Sequence, residues 1–351
     1  MASRADTLLS EDRAQVPARV RRQSVALIVL AVACAAAILT AFATGAVPVS
    51  LGSLLSADPG AALERTVFIE IRSPRVILAA FVGAALSLAG AVLQGLFRNP
   101  LADPQLIGVS GGAALGAVVM IVLGANLDLP GWASHYAVPG AAVIGAMSVT
   151  AFLYLFSRYF GHYSTVTMIL VGIAINAIAT VGVGAMEYLS SDTQLRTLVF
   201  WMMGSFGRAT WPTVLPAIVV ISLCSALLLR ERRRLDLLQL GEQNARHLGV
   251  DTRQLTRRAV LSSAAIVGAG VAISGIIGFV GLIVPHLVRL IGGASNRFVL
   301  PGAALLGATL MVAADVVART VIVPAEIPVG LVTSAIGGPF FLWLIARVRP
   351  R

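Results

Sequence analysis

Not one of the 351 residues is lysine, so all 26 basic side chains are arginine. No P-loop lysine is available to hold nucleotide phosphates, and no lysine Schiff base can form. The bias itself reads as the imprint of a GC-rich genome rather than of chemistry. Cysteine is almost missing: Cys34 and Cys224 sit inside apolar runs, where a thiol behaves as a small hydrophobe and neither a disulfide framework nor a metal site is expected. The four histidines (His135, His162, His247 and His286) are scattered, without HExxH or paired-ligand spacing, so metal catalysis is not expected. No Ser/His/Asp constellation stands at workable spacing, and no catalytic residue is assigned. Charge is scarce too, at 12% of residues against 58% hydrophobic, with a mean hydropathy of +0.89. A water-soluble multidomain enzyme is excluded on these grounds, and an all-α polytopic membrane protein is expected.

What the chain does have is long apolar runs. A membrane-crossing helix needs about 20 mostly apolar residues, and that window fits about ten places, near 24–46, 75–96, 106–124, 136–157, 165–188, 211–230, 257–279, 281–294, 299–318 and 327–347. The eighth is short and reads as a broken or half-buried helix. Residues 1–22 form a charged tail without apolar periodicity, expected to be mobile, and 23–351 form one transmembrane domain. Ala41-Phe42-Ala43 resembles a cleavage site, but the apolar run is long and nine further spans follow, so an uncleaved first helix is expected.

The net charge of +10 could suggest a nucleic-acid partner in a soluble domain. Here the arginines obey the positive-inside rule instead: with both termini cytoplasmic, 20 of the 26 fall on the cytoplasmic side. Arg65, Arg72, Arg75, Arg196, Arg208 and Arg319 fall outside. The expected partner is lipid, not nucleic acid.

Two internal echoes bear on architecture. Val82-Gly83-Ala84 with Gly90 recurs as Val267-Gly268-Ala269 with Gly275. Pro139-Gly140-Ala141-Ala142 with Gly145-Ala146 recurs as Pro301-Gly302-Ala303-Ala304 with Gly307-Ala308. Spans two and seven, and four and nine, are thereby paired five spans apart, in opposite orientation, as in inverted-repeat transporters. Small residues also recur for packing reasons alone.

The longest cytoplasmic loop, about 231–256, reads as a short helix, a break at Gly241, a second helix and a stop at Gly249. Mixed charge and leucines at helical spacing suit it either to docking another protein or to lying solvated against the membrane. With Ile71-Arg72-Ser73-Pro74-Arg75, the stretch from Gly90 to Pro104, Gly108 to Gly112, Trp201 to Ser205, Gly278 to His286 and Glu326 to Gly330, this loop resembles the permeases of type II ABC importers for ferric siderophores, heme and vitamin B12. The likeness runs from about residue 70 to the end.

The resemblance implies a permease of an ATP-driven importer in the bacterial cytoplasmic membrane, itself not an enzyme. Its partners would be a second copy of itself, two ATPase subunits and an extracytoplasmic substrate-binding protein. No cofactor would bind this subunit, ATP and magnesium being held by the ATPases. Leu240, Gly241, Glu242, Ala245, Arg246 and Gly249 would couple to the ATPase. Arg72, Arg75 and Arg319 would meet glutamates of the binding protein as exposed, salt-sensitive contacts; the other reading is snorkelling anchors, with Asp315 neutralising Arg319 at i,i+4. Asn99 and Leu101, with Ser164, Thr165 and Val166, match the family's cytoplasmic gates, although family members often have serine where Val166 stands. Asn99 and Ser164 also suit helix capping.

Tyr188 to Trp201 and Arg98 to Pro104 resemble hemin permeases most, which puts heme ahead of a ferric siderophore or corrinoid. An ion-coupled secondary transporter is the competing class, but it would place ionisable groups near the midplane, whereas here the acids cluster at ends and loops.

Overall fold

Lipid cannot hydrogen-bond a peptide group, so an apolar chain crossing it must satisfy its backbone internally. The computed structural model describes residues 2–45, 62–124, 127–159, 165–322 and 325–347. Among these residues the regular structure is helical throughout, with 84% helix and no strand.

The first helix, α1 (Ala2–Ala43), is followed by α2 (Ala62–Thr66), which runs through a π-helical turn, Val67–Arg72, into α3 (Ser73–Phe97). A 3-10 turn, Pro104–Ile107, leads to α4 (Val109–Val122), then α5 (Gly131–Tyr159), α6 (Thr165–Leu189), α7 (Asp192–Met202) and α8 (Trp211–Arg230). Two short helices, α9 (Arg232–Leu238) and α10 (Glu242–His247), precede α11 (Thr252–Ser274), α12 (Val280–Gly292), α13 (Asn296–Thr320) and α14 (Val329–Arg347).

Seven of these segments are long and apolar enough to cross a membrane, and three shorter apolar helices, α4, α12 and part of α14, take the remaining expected places. Ten spans are therefore present in the expected order. Two differences stand out. The helix at the N-terminus extends back to Ala2, through residues expected to form an irregular tail. Once a helix is nucleated in the membrane, extending it costs little per residue. The third span is shorter than expected: α4 has 14 residues, about 21 Å at 1.5 Å per residue against a hydrocarbon core of about 30 Å.

The shortfall of α4 is made up by a loop that turns back into the bundle. Arg98 ends α3 in the left-handed region (φ 49°), and the Asp103 carboxylate caps the Pro104 turn by accepting from Gln105 N at 2.7 Å. Pro104 then packs beside Gly281 and Leu86, the latter near the middle of α3. The eighth span is broken in the same manner. After Ser274 the chain runs extended to Phe279, which takes a left-handed φ of 68° before α12 begins, and its ring lies against Gly337. Gln105 Nε2 donates to Ile277 O at 2.8 Å, so the two broken loops meet inside the bundle. This is the inverted-repeat signature of discontinuous helices meeting between halves.

The repeat is also visible in packing. α3 lies against α13 and α11, and α11 in turn lies against α5, so span two on nine is mirrored by span seven on four. Gly83 faces the backbone of Gly307, while its counterpart Gly268 faces the Ala146 methyl. Backbone-to-backbone approach of this kind supplies the contact that the hydrophobic effect cannot supply between helices in lipid.

α3 is the axis of the bundle, with 22 of its 25 residues buried, so it is apolar on all sides rather than along one stripe. At Gly90 an added Cβ would run into the carbonyl of Gly281, whereas at Gly140 it would meet nothing within 4 Å. Gly90→Val is therefore expected to destabilise the detergent-solubilised protein by about 1–3 kcal/mol or more. Gly140→Ala should be neutral or slightly stabilising. Equal melting temperatures for the two variants would count against this packing.

Candidate functional site

At the end of the bundle where α3 finishes, residues 231–250 form a compact module. Leu235 and Leu238 of α9 are buried, and Asp236 Oδ1 accepts from Asn296 N at 2.7 Å and Asn296 Nδ2 at 2.9 Å. Gln239 Nε2 donates to Gly95 O at 2.8 Å. Glu231, buried, pairs with Arg234 at 2.8 Å and Arg258 at 3.0 Å. α9 is thus wired to α3, α11 and α13.

Gly241 then turns the chain with φ 103° and ψ 151°, a conformation open essentially to glycine alone. Within α10, Glu242 and Arg246 pair at 2.5 Å, and Thr252 Oγ1 lies 3.2 Å from both Arg246 Nε and Glu242 Oε1. Gly249 ends the module with φ 82°. Of the residues read as coupling contacts, Leu240, Glu242 and Arg246 are exposed, while Ala245 is buried and packs α10 onto the bundle. Leu248, not singled out from sequence, is 56% exposed beside Leu240 at 58%. Two bare leucines on a rigid, charged mount form a surface that another protein could cover.

The turn after α3, expected from sequence to belong to a gate, lies at this same end. Asn99 Oδ1 accepts from Leu101 N at 2.9 Å, a local turn that stops α3, and Leu101 is half-exposed. Ser164 lies outside the described residues, and Thr165 and Val166 open α6. Asn99 thus closes its own turn after α3 rather than capping a helix.

The opposite end holds an ion cluster. The π turn before Ser73 gives α3 an extra residue per turn there, and Ser73 N and Oγ both bond Phe68 O. Such turns recur at functional positions. Arg75 Nε and Nη2 donate to Asp315 Oδ1 at 3.0 and 2.9 Å, and Nη1 donates to Glu326 Oε1 at 2.7 Å. Arg319 Nε approaches Asp315 Oδ2 at 3.6 Å and its Nη2 donates to Ala41 O at 2.6 Å. Arg72 Nη1 donates to Phe42 O at 2.8 Å. Among the described residues, Asp315 and Glu326 are the carboxylates that pair with Arg75 and Arg319 in this cluster.

The expectation that Arg72, Arg75 and Arg319 stand as exposed contacts is corrected here. Arg72 is 4% and Arg75 7% exposed, and the Arg319 side chain 7%. The reason is tertiary: Asp315 and Glu326, 240 and 251 positions from Arg75 in sequence, close around its guanidinium. The i,i+4 pairing of Asp315 with Arg319 is present, but it is the longer of the contacts Asp315 makes. Glu326, whose side chain is 47% exposed, is the member of the cluster nearest the surface.

The segment from Tyr188 to Trp201 becomes the end of α6 and a separate helix, α7. Ser191 and Gln194 form a reciprocal capping box, and Gln194 Nε2 reaches Val122 O at 3.0 Å. Beyond α7, Ser205 N donates to Ser274 O at 2.7 Å, which ties the following turn to the break between α11 and α12. Two polar links inside the bundle escaped sequence reasoning. Asn176 Nδ2 donates to Gln105 O at 3.0 Å, and Gln94 bonds Leu282 O at 3.2 Å and Arg289. Their signal was a lone polar residue inside an apolar span, where polar groups rarely stand without a partner. Among the described residues, no group of three His, Cys, Asp or Glu side chains is placed to hold a metal ion.

The sequence pattern of the FecCD transport family matches residues 24–347. Over 283 residues the chain is 49% identical to the hemin transport system permease protein HmuU of Yersinia pestis, covering 81% of this chain and 84% of that one. It is 41% identical over 284 residues to the vitamin B12 import system permease protein BtuC of Vibrio vulnificus (strain CMCP6), again covering 81% and 84%. A solved metal-chelate type ABC transporter in an inward-facing conformation superposes with a TM-score of 0.82 at 35% identity, covering 92% of this chain and 99% of that one. Ten spans with an inverted repeat, a braced loop module and a likeness that runs nearly the length of the chain lead to one conclusion: it is a polytopic membrane permease with the type II ABC importer fold and belongs to the FecCD transport family.

Proposed function

We propose that this permease imports heme across the bacterial cytoplasmic membrane, as a homodimer resting on two ATPase subunits and receiving its cargo from an extracytoplasmic binding protein. The observation that carries the substrate is the 49% identity to a hemin permease, set against 41% to a vitamin B12 permease. In this reading both termini and the α9–α10 module face the cytoplasm, in line with the arginine distribution. ATP and magnesium stay on the ATPase, and this subunit holds no cofactor.

Coupling is assigned to Leu240, Glu242 and Arg246 as contacts, with Gly241, Ala245 and Gly249 shaping the module that presents them. Closure of the ATPases would move α9 and α10 as one body, and the bonds from α9 to Gly95 and Asn296 would carry that movement to α3 and α13. Population shift between two arrangements of packed helices is all the permease must supply. The cytoplasmic gate is assigned to Asn99 and Leu101 with Ser164, Thr165 and Val166 across the dimer axis. Docking of the binding protein is assigned to the opposite end, where Arg72, Arg75 and Arg319 supply positive charge from beneath the surface. Such a field steers an acidic partner and weakens with salt.

Ion-coupled transport is disfavoured by the position of Asp315, which is paired to Arg75 near a helix end rather than free at mid-membrane. The reading is tested by uptake into proteoliposomes holding the complete transporter and its binding protein. ATP-dependent uptake of heme, and not of a ferric siderophore or a corrinoid, is the expected result. Uptake of one of those instead would overturn the substrate, and uptake without ATP under an ion gradient would overturn the mechanism.

A further inference from the structure

A pocket of about 220 Å³ opens beside the ion cluster, lined by Phe200 and Trp201 at the end of α7, Ser205, Arg208, Ile273, Ser274, Glu326 and Pro328. Its chemistry is divided. Two aromatic rings, Ile273 and Pro328 form an apolar wall, and Phe200 is 54% exposed on it. The polar side carries a cation and a carboxylate, whose situations differ. Glu326 is already neutralised by Arg75 Nη1 at 2.7 Å. Arg208 is exposed, and among the described residues no carboxylate pairs with it. With Glu326 neutralised, Arg208 sets the charge of the pocket, which therefore favours an anion.

The turn that carries Arg208 is firmly placed. Gly204 takes a φ of 73°, and a Cβ there would strike the carbonyl of Ile276; at Gly275 a Cβ would strike the carbonyl of Trp201, and at Gly330 that of Met203. Three strands of backbone therefore meet without intervening side chains, and the Ser205 to Ser274 bond closes the junction. The backbone at the base of Arg208 is fixed by these contacts, while its exposed side chain stays able to swing onto an anion.

We propose that this pocket is an entry subsite for the transported ligand, in which Arg208 receives a carboxylate of the chelate while the edge of its ring system lies against Phe200 and Trp201. The volume suits a carboxylate-bearing edge rather than a whole tetrapyrrole. An apolar wall beside one fixed cation matches a planar, amphipathic anion and matches poorly a ligand that is polar all round. The inference rests on the proposed import of heme and deepens it by naming the first contact. A single rim contact also keeps binding weak enough for onward release.

The test compares heme with its dimethyl ester, which keeps the ring and masks both carboxylates, in ATP-driven uptake by the complete transporter with its binding protein. Arg208→Ala is expected to raise the heme concentration for half-maximal uptake about tenfold, the loss of one hydrogen bond to a charged group. The maximal rate should stay unchanged. Uptake of the ester should be the same in the two proteins. Arg196→Ala, an exposed arginine on α7 that does not line the pocket, should behave as wild type.

An equal effect of Arg208→Ala on heme and ester, or none on either, overturns the subsite. So does a weaker affinity of the variant for ligand-free binding protein, since the carboxylate received would then be the protein's. Wild-type transporter that imports neither compound, yet imports a siderophore or a corrinoid, overturns the functional reading on which the subsite depends.

Discussion

Asp315→Ala is expected to destabilise the permease by about 3–5 kcal/mol, the range for removing one partner from a buried ion pair. Its side chain is 2% exposed and serves Arg75 at 2.9 Å and Arg319 at 3.6 Å, so its loss takes the buried carboxylate from two guanidinium groups at once, leaving Arg75 with half-exposed Glu326 and Arg319 with the Ala41 carbonyl. Glu326→Gln removes a charge from the same arginine, yet Glu326 is half-exposed and water can take its place, so about 1 kcal/mol or less is expected. Asp315→Asn keeps acceptor oxygen for one bond and should fall between them. Helical circular dichroism followed through a thermal melt in detergent separates the three. An alanine variant as stable as Glu326→Gln would show that the cluster does not brace α3 against the end of α13.

Replacing Leu240 and Leu248 together by aspartate is expected to uncouple the ATPase while leaving the bundle folded. Both side chains are more than half exposed, so the permease itself loses little burial. At an interface centre each such loss is worth about 2 kcal/mol, roughly thirtyfold in affinity. Uptake should fall to background, and the ATPase should co-purify poorly with the double variant. Retention of the ATPase with normal uptake would remove the coupling assignment. Ala245→Asp would be an ambiguous probe of the same surface, because Ala245 is fully buried and its change would disturb the fold of α10 as well.

The two experiments probe residues that sequence reading reached by different routes. The structure of the 231–250 module was legible almost to the residue: α9, the break at Gly241, α10 and the stop at Gly249 follow from propensity and glycine chemistry within about twenty neighbouring positions. Local signals decide local structure, and nothing distant had to be known. Even so, burial of Ala245 and exposure of Leu248 were not legible, because helical spacing does not say which face meets the bundle.

The far end was legible only in part. Arg72, Arg75 and Arg319 were marked by standing against the charge rule, and Asp315 by its spacing from Arg319. That Arg75 belongs to Asp315 and Glu326 could not be read, since the partners lie in other helices. Charge pairing across such separations depends on which helices become neighbours and on how deep each one sits.

Composition and apolar run length by themselves determined that this chain spans the membrane about ten times. Short glycine patterns added the inverted repeat. Solvation accounts for that reach, because the bilayer acts on each segment independently of the rest. Only the tertiary structure decided that the third and eighth spans are broken and meet through Gln105, that three arginines facing outward in sequence are buried in a cluster, and that Arg208 stands exposed beside an aromatic wall. Those outcomes depend on contacts between segments, whose free energies exist only once the helices have packed.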